Sequence, residues 1–175
     1  TAPARISWPS VVTTPAAQPW PGSRARLAAL AERLIVAGAR GVAFDIVLLK
    51  PADPEGDARL ASLARHGPLV LAQLFDYTSG NLPLRSGQLI GGAPGNAGAV
   101  PASGCLANHA GLAQAVYAGN IGVVPDPDGV LRRLPMSTSF DGRHYPTLAL
   151  ALLDCCAGGA PATAPAMRIP YSRSL

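Results

Sequence analysis

Apolar residues recur along this chain with two different periods. After Ser23, a suitable N-cap, they fall at Leu27, Leu30, Ala31, Leu34 and Ile35. That is the i, i+3, i+4, i+7, i+8 spacing of an amphipathic helix, which Gly38 or Gly41 ends. Residues 42–49 (VAFDIVLL) form an apolar, β-rich run without alternation, the pattern of a central strand covered on both faces. The turn KPADPEG leads into a short helix over about 57–66, with Leu60, Leu63 and Ala64 on one face and Gly67 as its stop. A second strand follows at 69–75. Helix, strand, helix, strand in this order demands right-handed crossovers and partly parallel pairing, so the pattern predicts an α/β domain.

The second half is patterned differently. Residues 76–104 are rich in Gly, Pro, Ser and Asn, with one apolar patch at 88–90, and read as a long loop of the functional or mobile kind. A third helix is expected over 105–117. Residues 121–124 and 130–136 are β-prone runs separated by PDPDG, which predicts an antiparallel hairpin. A second turn at Asp141-Gly142 precedes a final helix from about 146 to 156. A Pro/Ala-rich lead with one β-like patch at 6–12 comes before Ser23, and a low-complexity tail, 157–166, runs into a last extended patch at 167–171. The prediction is one domain over 1–175, with a core at about 20–156 and flanking segments at 1–19 and 157–175. In it a mixed β-sheet is flanked by helices, and an antiparallel hairpin occupies the C-terminal half.

Composition narrows the functional classes. With 49% hydrophobic and 14% charged residues and no acidic or basic block, the 175-residue chain is built to fold. The formal charge of +4 raises nucleic acid as a partner. The arginines, however, are scattered from Arg5 to Arg173 with few aromatics among them, so no nucleic-acid surface is predicted. The longest wholly apolar run, 148–153, falls far short of the roughly 18 residues that cross a bilayer. The chain starts at Thr1, and a soluble piece cut from between membrane spans would read the same way.

Cys105, Cys155 and Cys156 form no CxxC and have no histidine at zinc-ligand spacing. Three small buried thiols is the leading reading, and pairing of Cys105 with one of the other two in an oxidising compartment is the alternative.

Catalytic signatures are missing. No serine lies in G-x-S-x-G, and His66, His109 and His144 sit in unrelated segments. Lys50, the only lysine, is followed by proline and makes no phosphate-binding loop, and GGAPGNAG at 91–98 reads as a glycine-rich loop. Asp53, Glu55 and Asp57 alternate as calcium ligands do, but they lack the invariant glycine and the closing glutamate. Carboxylates at a helix N-terminus explain them better. No catalytic residue, metal or cofactor is predicted.

Two places retain chemical interest. Asp45 lies inside the apolar run 42–49, where a carboxylate is costly to desolvate. It needs either an arginine such as Arg24 or Arg132, or a place at the open end of the strand, where α/β sheets bind ligands. The stretch DPDGVLRRLP, 126–135, contains a tight turn with Gly129 at positive φ. Arg132 and Arg133 are neighbours on a strand, so one of them is expected to face the core and to require a carboxylate, for which Asp45 is the candidate.

The order of motifs resembles a known family. QPWPGSRARLAALAERLIVAGARGVAFDIVL, an Asp-rich turn containing Asp57, GNIGVVPDPDGVLRRLPM and YPTLALALL together look like the second type of CHASE domain, the cyclase/histidine-kinase-associated sensory extracellular domain. The resemblance runs from about Trp20 to Leu153, and the tail MRIPYSR is similar to that family's closing strand. Such domains usually begin with a strand ending in consecutive acids. ISWPSVVTTP carries none, so no site built on those acids is implied.

The resemblance implies a domain outside the cytoplasmic membrane, attached through flanking segments beyond this chain to a nucleotide cyclase, histidine kinase or Ser/Thr kinase. It carries over Trp20, Asp45, Asp57, Asp128, Gly129 and Arg132. With Arg24 added from the charge argument, the expected ligand-binding set is Trp20, Arg24, Asp45, Asp57, Asp128 and Arg132. The expected partners are an unknown small molecule and a second copy in a homodimer. Alternatives are a ligand-free dimerisation or structural module, and a metal-assisted hydrolase using Asp45, Asp53 and Asp57.

Overall fold

The computed structural model describes residues 23–78, 84–95 and 98–157, together with the backbone of 166–168. The patch expected at 6–12, Trp20 and the end of the closing patch lie outside these residues.

Helix α1 is Arg24–Val36, and Ser23 caps it as expected, its hydroxyl accepting from the Arg26 N–H at 3.3 Å. The helix closes in a Schellman arrangement. Ala39 N–H bonds Leu34 C=O, Gly38 N–H bonds Ile35 C=O, and Gly38 takes the left-handed φ of 99° that the motif requires. Strand β1 follows at Val42–Phe44 and helix α2 at Pro54–His66. Then come strands β2 (Leu69–Asp76), β3 (Arg85–Ser86), β4 (Ala93–Pro94), β5 (Val100–Pro101) and β6 (Gly104–Leu106). A one-turn 3-10 helix at Ala110–Leu112 precedes β7 (Tyr117–Asn120), β8 (Arg133–Pro135), β9 (Ser137–Phe140) and β10 (Arg143–Pro146). Helix α3 (Leu148–Ala157) and strand β11 (Ala166–Arg168) complete the order.

Strand β2 is the spine. Strands β1 and β7 flank it in parallel, and its last residues pair antiparallel with β6, which β3 extends. A second sheet runs β4-β10-β9-β5, centred on the β9–β10 hairpin. Its turn holds Asp141 at φ 48° and Gly142 at φ 73°, positive at both central positions as a two-residue turn demands. A two-stranded ladder pairs β8 with β11. The architecture is therefore a single mixed α/β domain with an antiparallel hairpin in its C-terminal half.

Side-chain alternation sorts the layers. Val42, Phe44, Leu69 and Leu71 share one face of the parallel strands and pack under α1 and α2 with Ala28, Ala31, Leu60 and Ala64. Helix α3 crosses the other face, where Gly41 and Gly119 leave room. A Cβ on Gly41 would meet Cys156 Sγ at 2.7 Å, and one on Gly119 would meet the Leu148 backbone N at 2.6 Å. A second apolar cluster, Phe75, Cys105, Phe140 and Tyr145, joins the two sheets, with Phe75 tilted against Tyr145 at 4.9 Å between ring centroids.

Four expectations are corrected. Strand β1 is three residues long, not eight, because the chain leaves the sheet at Asp45 and is caught again at Leu48. There the Leu48 N–H donates to Asn108 Oδ1, and Leu48 C=O accepts from His109 N–H. Asp45 is accordingly exposed rather than enclosed in a covered strand. The third helix is absent. Residues 104–106 form β6 against β2, and Asn108 spends its side chain on backbone groups, an option that competes with helix. The hairpin expected between 121–124 and 130–136 closes only at its turn, since β8 takes β11 as partner instead.

Candidate functional site

The first turns of α1 and α2 meet at the carboxyl end of the parallel strands, and one carboxylate serves both. Asp53 Oδ1 accepts from Arg24 N–H at 2.7 Å, while Oδ2 accepts from Ala25 N–H at 3.2 Å and from Gly56 N–H at 3.1 Å. Partial desolvation works against the charge of Asp53, but these N–H donors prevail and hold its carboxyl below the ordinary carboxylate range. Gly56 lets the helices approach this closely, because a Cβ there would strike the Arg24 and Ala25 backbone.

Beneath this cap lies the most heavily buried charged group of the described residues. Arg24, 6% exposed, places Nε 3.2 Å from Asp57 Oδ1 and donates from Nη2 to Lys50 C=O at 3.0 Å. Asp57 Oδ2 accepts from Ala52 N–H at 2.7 Å. On the other side of Asp57, His109 Nε2 stands 3.5 Å from the same Oδ1. His109 Nδ1 accepts from Gly111 N–H at 3.2 Å, which leaves the proton on Nε2, directed at the carboxylate. Arg24 Nε meets Asp57 Oδ1 as an ion pair rather than a well-aligned hydrogen bond, and His109 Nε2 makes a polar contact with the same oxygen. The arrangement holds one carboxylate between a guanidinium and an imidazole, with no nucleophile beside it among the described residues and almost no access for solvent. It ties α1, the 48–53 loop, α2 and the 109–111 turn together.

A second polar hub joins the sheets. Asn120, at the end of β7, accepts on Oδ1 from Phe75 and Gly122 N–H, and donates from Nδ2 to Tyr77 Oη at 2.6 Å and Thr138 Oγ1 at 3.0 Å. Burial pushes the Tyr77 hydroxyl above its ordinary range, so it stays neutral as it accepts from Asn120 and shares a hydrogen bond with Thr138 Oγ1.

The third cluster is the DPDG turn. Gly129 N–H bonds Asp126 C=O with φ at 79°, and Arg132 grips Asp128 in a fork at 2.9 Å and 2.9 Å while also reaching Asp126 at 3.1 Å. Arg132 is the first cause of the depressed Asp128 carboxyl, with the Val130 N–H second. The expectation that Arg132 or Arg133 enters the core is therefore corrected. Arg132 is 41% exposed and paired within its own turn, Arg133 is exposed, and the buried guanidinium is Arg24.

The expected ligand-binding set is thus dispersed. Arg24 and Asp57 come together, Asp128 and Arg132 come together elsewhere, and Trp20 lies outside the described residues. Asp45 has no ion pair or hydrogen-bond partner among the described residues, neither Arg24 nor Arg132 reaching it. The metal set Asp45, Asp53 and Asp57 does not form either. Asp53 and Asp57 spend oxygens on backbone N–H groups, and no three His, Cys, Asp or Glu among the described residues could hold an ion. The cysteines are free thiols, Cys105 buried and Cys155 and Cys156 half-buried. Sequence reasoning missed Asp53 as a double cap, His109, and the Asn108 and Asn120 hubs. The Asn120 signal was available, since asparagine in an apolar β-run is a buried polar group that must be satisfied.

At the opposite, amino end of the parallel strands lies an open concavity of about 290 Å³, between the end of α2, the start of β7 and α3. Arg65, His66, Pro68, Val116, Tyr117 and Cys155 line it.

The chain matches the family model of the CHASE2 domain over residues 6–172, nearly its whole length, and it belongs to that family of sensory extracellular receptor domains. No curated protein and no solved structure matches it.

Proposed function

We propose that this chain is the extracytoplasmic input domain of a bacterial transmembrane signalling receptor. In this reading it detects a small molecule or an envelope signal and relays it through flanking membrane helices to a cyclase, histidine kinase or Ser/Thr kinase. The CHASE2 match over residues 6–172 carries the reading, because that family is sensory and extracellular rather than catalytic. No described helix is long and apolar enough to cross a membrane, so the attachment that the reading needs comes from segments outside the described residues. The signal is a shift between two arrangements of the domain, driven by whatever binds one of them better.

One observation favours a second reading, in which the domain is a dimerisation module that needs no ligand. Helix α1 turns Ala28 and Ala31 inward and leaves Leu30 50% and Leu34 41% exposed one turn apart, an apolar stripe suited to association. The discriminating experiment uses the full-length receptor in membranes, with output activity followed as extracytoplasmic metabolites are added and as the domain is deleted. Ligand-dependent output supports the sensor. Output that ignores every addition but tracks oligomeric state supports the module, and output indifferent to deletion of the domain overturns both.

A further inference from the structure

We propose that the concavity at the amino end of the parallel strands is a receptor for a phosphate group carried on a short organic body. It lies at the far end of the sheet from the Arg24–Asp57–His109 cluster, and its use as a signal input rests on the sensory reading above.

Four observations converge on this site. Arg65 and His66, consecutive at the end of α2, are exposed and have no acidic partner among the described residues; Arg26 and Arg133 are exposed and without an acid partner too, but Arg65 and His66 line one concavity together. Two of the helix-end carbonyls that would otherwise draw these cations are taken. Leu63 C=O accepts from Gly67 N–H at 2.8 Å, and Ala64 C=O accepts from Val116 N–H at 2.9 Å. The polar wall opposite is Tyr117 and Cys155. Burial first, then the nearby Cys156 and Asp154, push the Cys155 thiol up, so at neutral pH it presents an S–H and not a competing anion. Finally, Pro68 and the 56%-exposed Val116 supply an apolar wall beside the cations.

A guanidinium fork next to an imidazole suits a phosphate, which offers several acceptor oxygens and up to two charges. A space of about 290 Å³ admits a small molecule or a lipid headgroup, not a folded partner.

The test measures binding of inorganic phosphate and sn-glycerol 3-phosphate to the 175-residue chain by calorimetry at low salt. It also measures co-sedimentation with phosphatidylglycerol vesicles against phosphatidylcholine vesicles. Arg65→Gln and Val116→Glu alter the site, and Arg26→Gln, on the exposed first turn of α1, is the control. Circular dichroism establishes that each variant is folded. Loss of the charged contact in Arg65→Gln is expected to weaken binding at least about tenfold. Val116→Glu should abolish it and Arg26→Gln should leave it unchanged.

Binding of sn-glycerol 3-phosphate without vesicle binding identifies a soluble ester, and binding to phosphatidylglycerol vesicles alone identifies a lipid headgroup; both support the proposal. Inorganic phosphate binding as tightly as sn-glycerol 3-phosphate, with no vesicle binding, overturns the organic body. Failure of every probe, or an Arg65→Gln variant that binds like Arg26→Gln, overturns the site itself. Binding that leaves the output of the full-length receptor unchanged overturns the use of this site as a signal input and leaves the site standing.

Discussion

The two ends of the parallel sheet hold similar side chains and use them in opposite ways. At the carboxyl end, Arg24, Asp53, Asp57 and His109 turn toward one another and toward helix N-termini, and bulk water is almost shut out. At the amino end, Arg65 and His66 face an open concavity without an acid partner among the described residues. Charge in a site is therefore a poor guide to binding where it is spent on internal pairing. The carboxyl end, where α/β sheets usually take ligands, is here spent on holding two helices together.

Removing the central carboxylate should produce the largest effect. Asp57→Ala strands the Arg24 guanidinium, and a buried charge deprived of its partner costs about 3–5 kcal/mol. Urea unfolding monitored by circular dichroism is expected to show that loss. Asp57→Asn, which keeps an oxygen for the Ala52 N–H, should lose less. If Asp57→Ala unfolds at the same urea concentration as the parent chain, the carboxyl end is not the structural lock described above.

The next effect concerns pH. The Asp53 carboxyl is depressed by its N–H donors, so its folded value lies below the ordinary 3.8 of the unfolded chain. A depressed acid contributes stability that is complete above the unfolded value and is lost as pH falls through the folded one. Melting temperature should therefore drop as pH is lowered below about 4, and the drop should shrink in Asp53→Asn. Asp128 is depressed by Arg132 first and by the Val130 N–H second, but its contribution lies in an exposed turn and should shrink in Arg132→Gln without disturbing α1 or α2. A melting temperature indifferent to pH across that window would show that the Asp53 cap does not link the two helices energetically.

Much of this architecture was legible in local chemistry. Ser23 and Gly38 bracket α1, Gly67 ends α2 although the helix starts at Pro54 and not at about 57, and Asp141-Gly142 forms the hairpin turn, because caps and turns are decided by neighbours in sequence. What failed depended on distant partners. Residues 105–117 read as a helix, yet Cys105 pairs with Phe75 across β6 and β2 and Asn108 bonds Leu48 and Ala72. The strand around Asp45 looked long because VAFDIVLL is apolar but for that acid, yet the chain leaves the sheet at Asp45 and is held at Leu48 by a side chain 60 residues away. The site was legible in its ingredients, Arg24 and Asp57, and not in their pairing, since a buried arginine has several acids to choose from until the helices are in place. The amino-end concavity had no signal at all. Arg65 and His66 lie in the last turn of α2, and only the fold brings Val116 and Tyr117 beside them.

The smallest expected effect is at Asp45, the acid that seemed most anomalous in sequence. It follows directly on the three residues of β1 with its side chain exposed, so neither desolvation nor a lost partner attends its removal. Asp45→Ala should shift unfolding free energy by no more than about 0.5 kcal/mol, the usual range for a surface site. Placed beside Asp57→Ala in one urea series, it separates two acids that share a sheet end and differ in enclosure. A large destabilisation on replacing Asp45 would mean that it holds a partner contributed by the segment ahead of Ser23, and the carboxyl end would then have to be redrawn around that contact. A null effect leaves Asp45 as a solvent-facing carboxylate beside a closed lock, available to a ligand but not required by the fold.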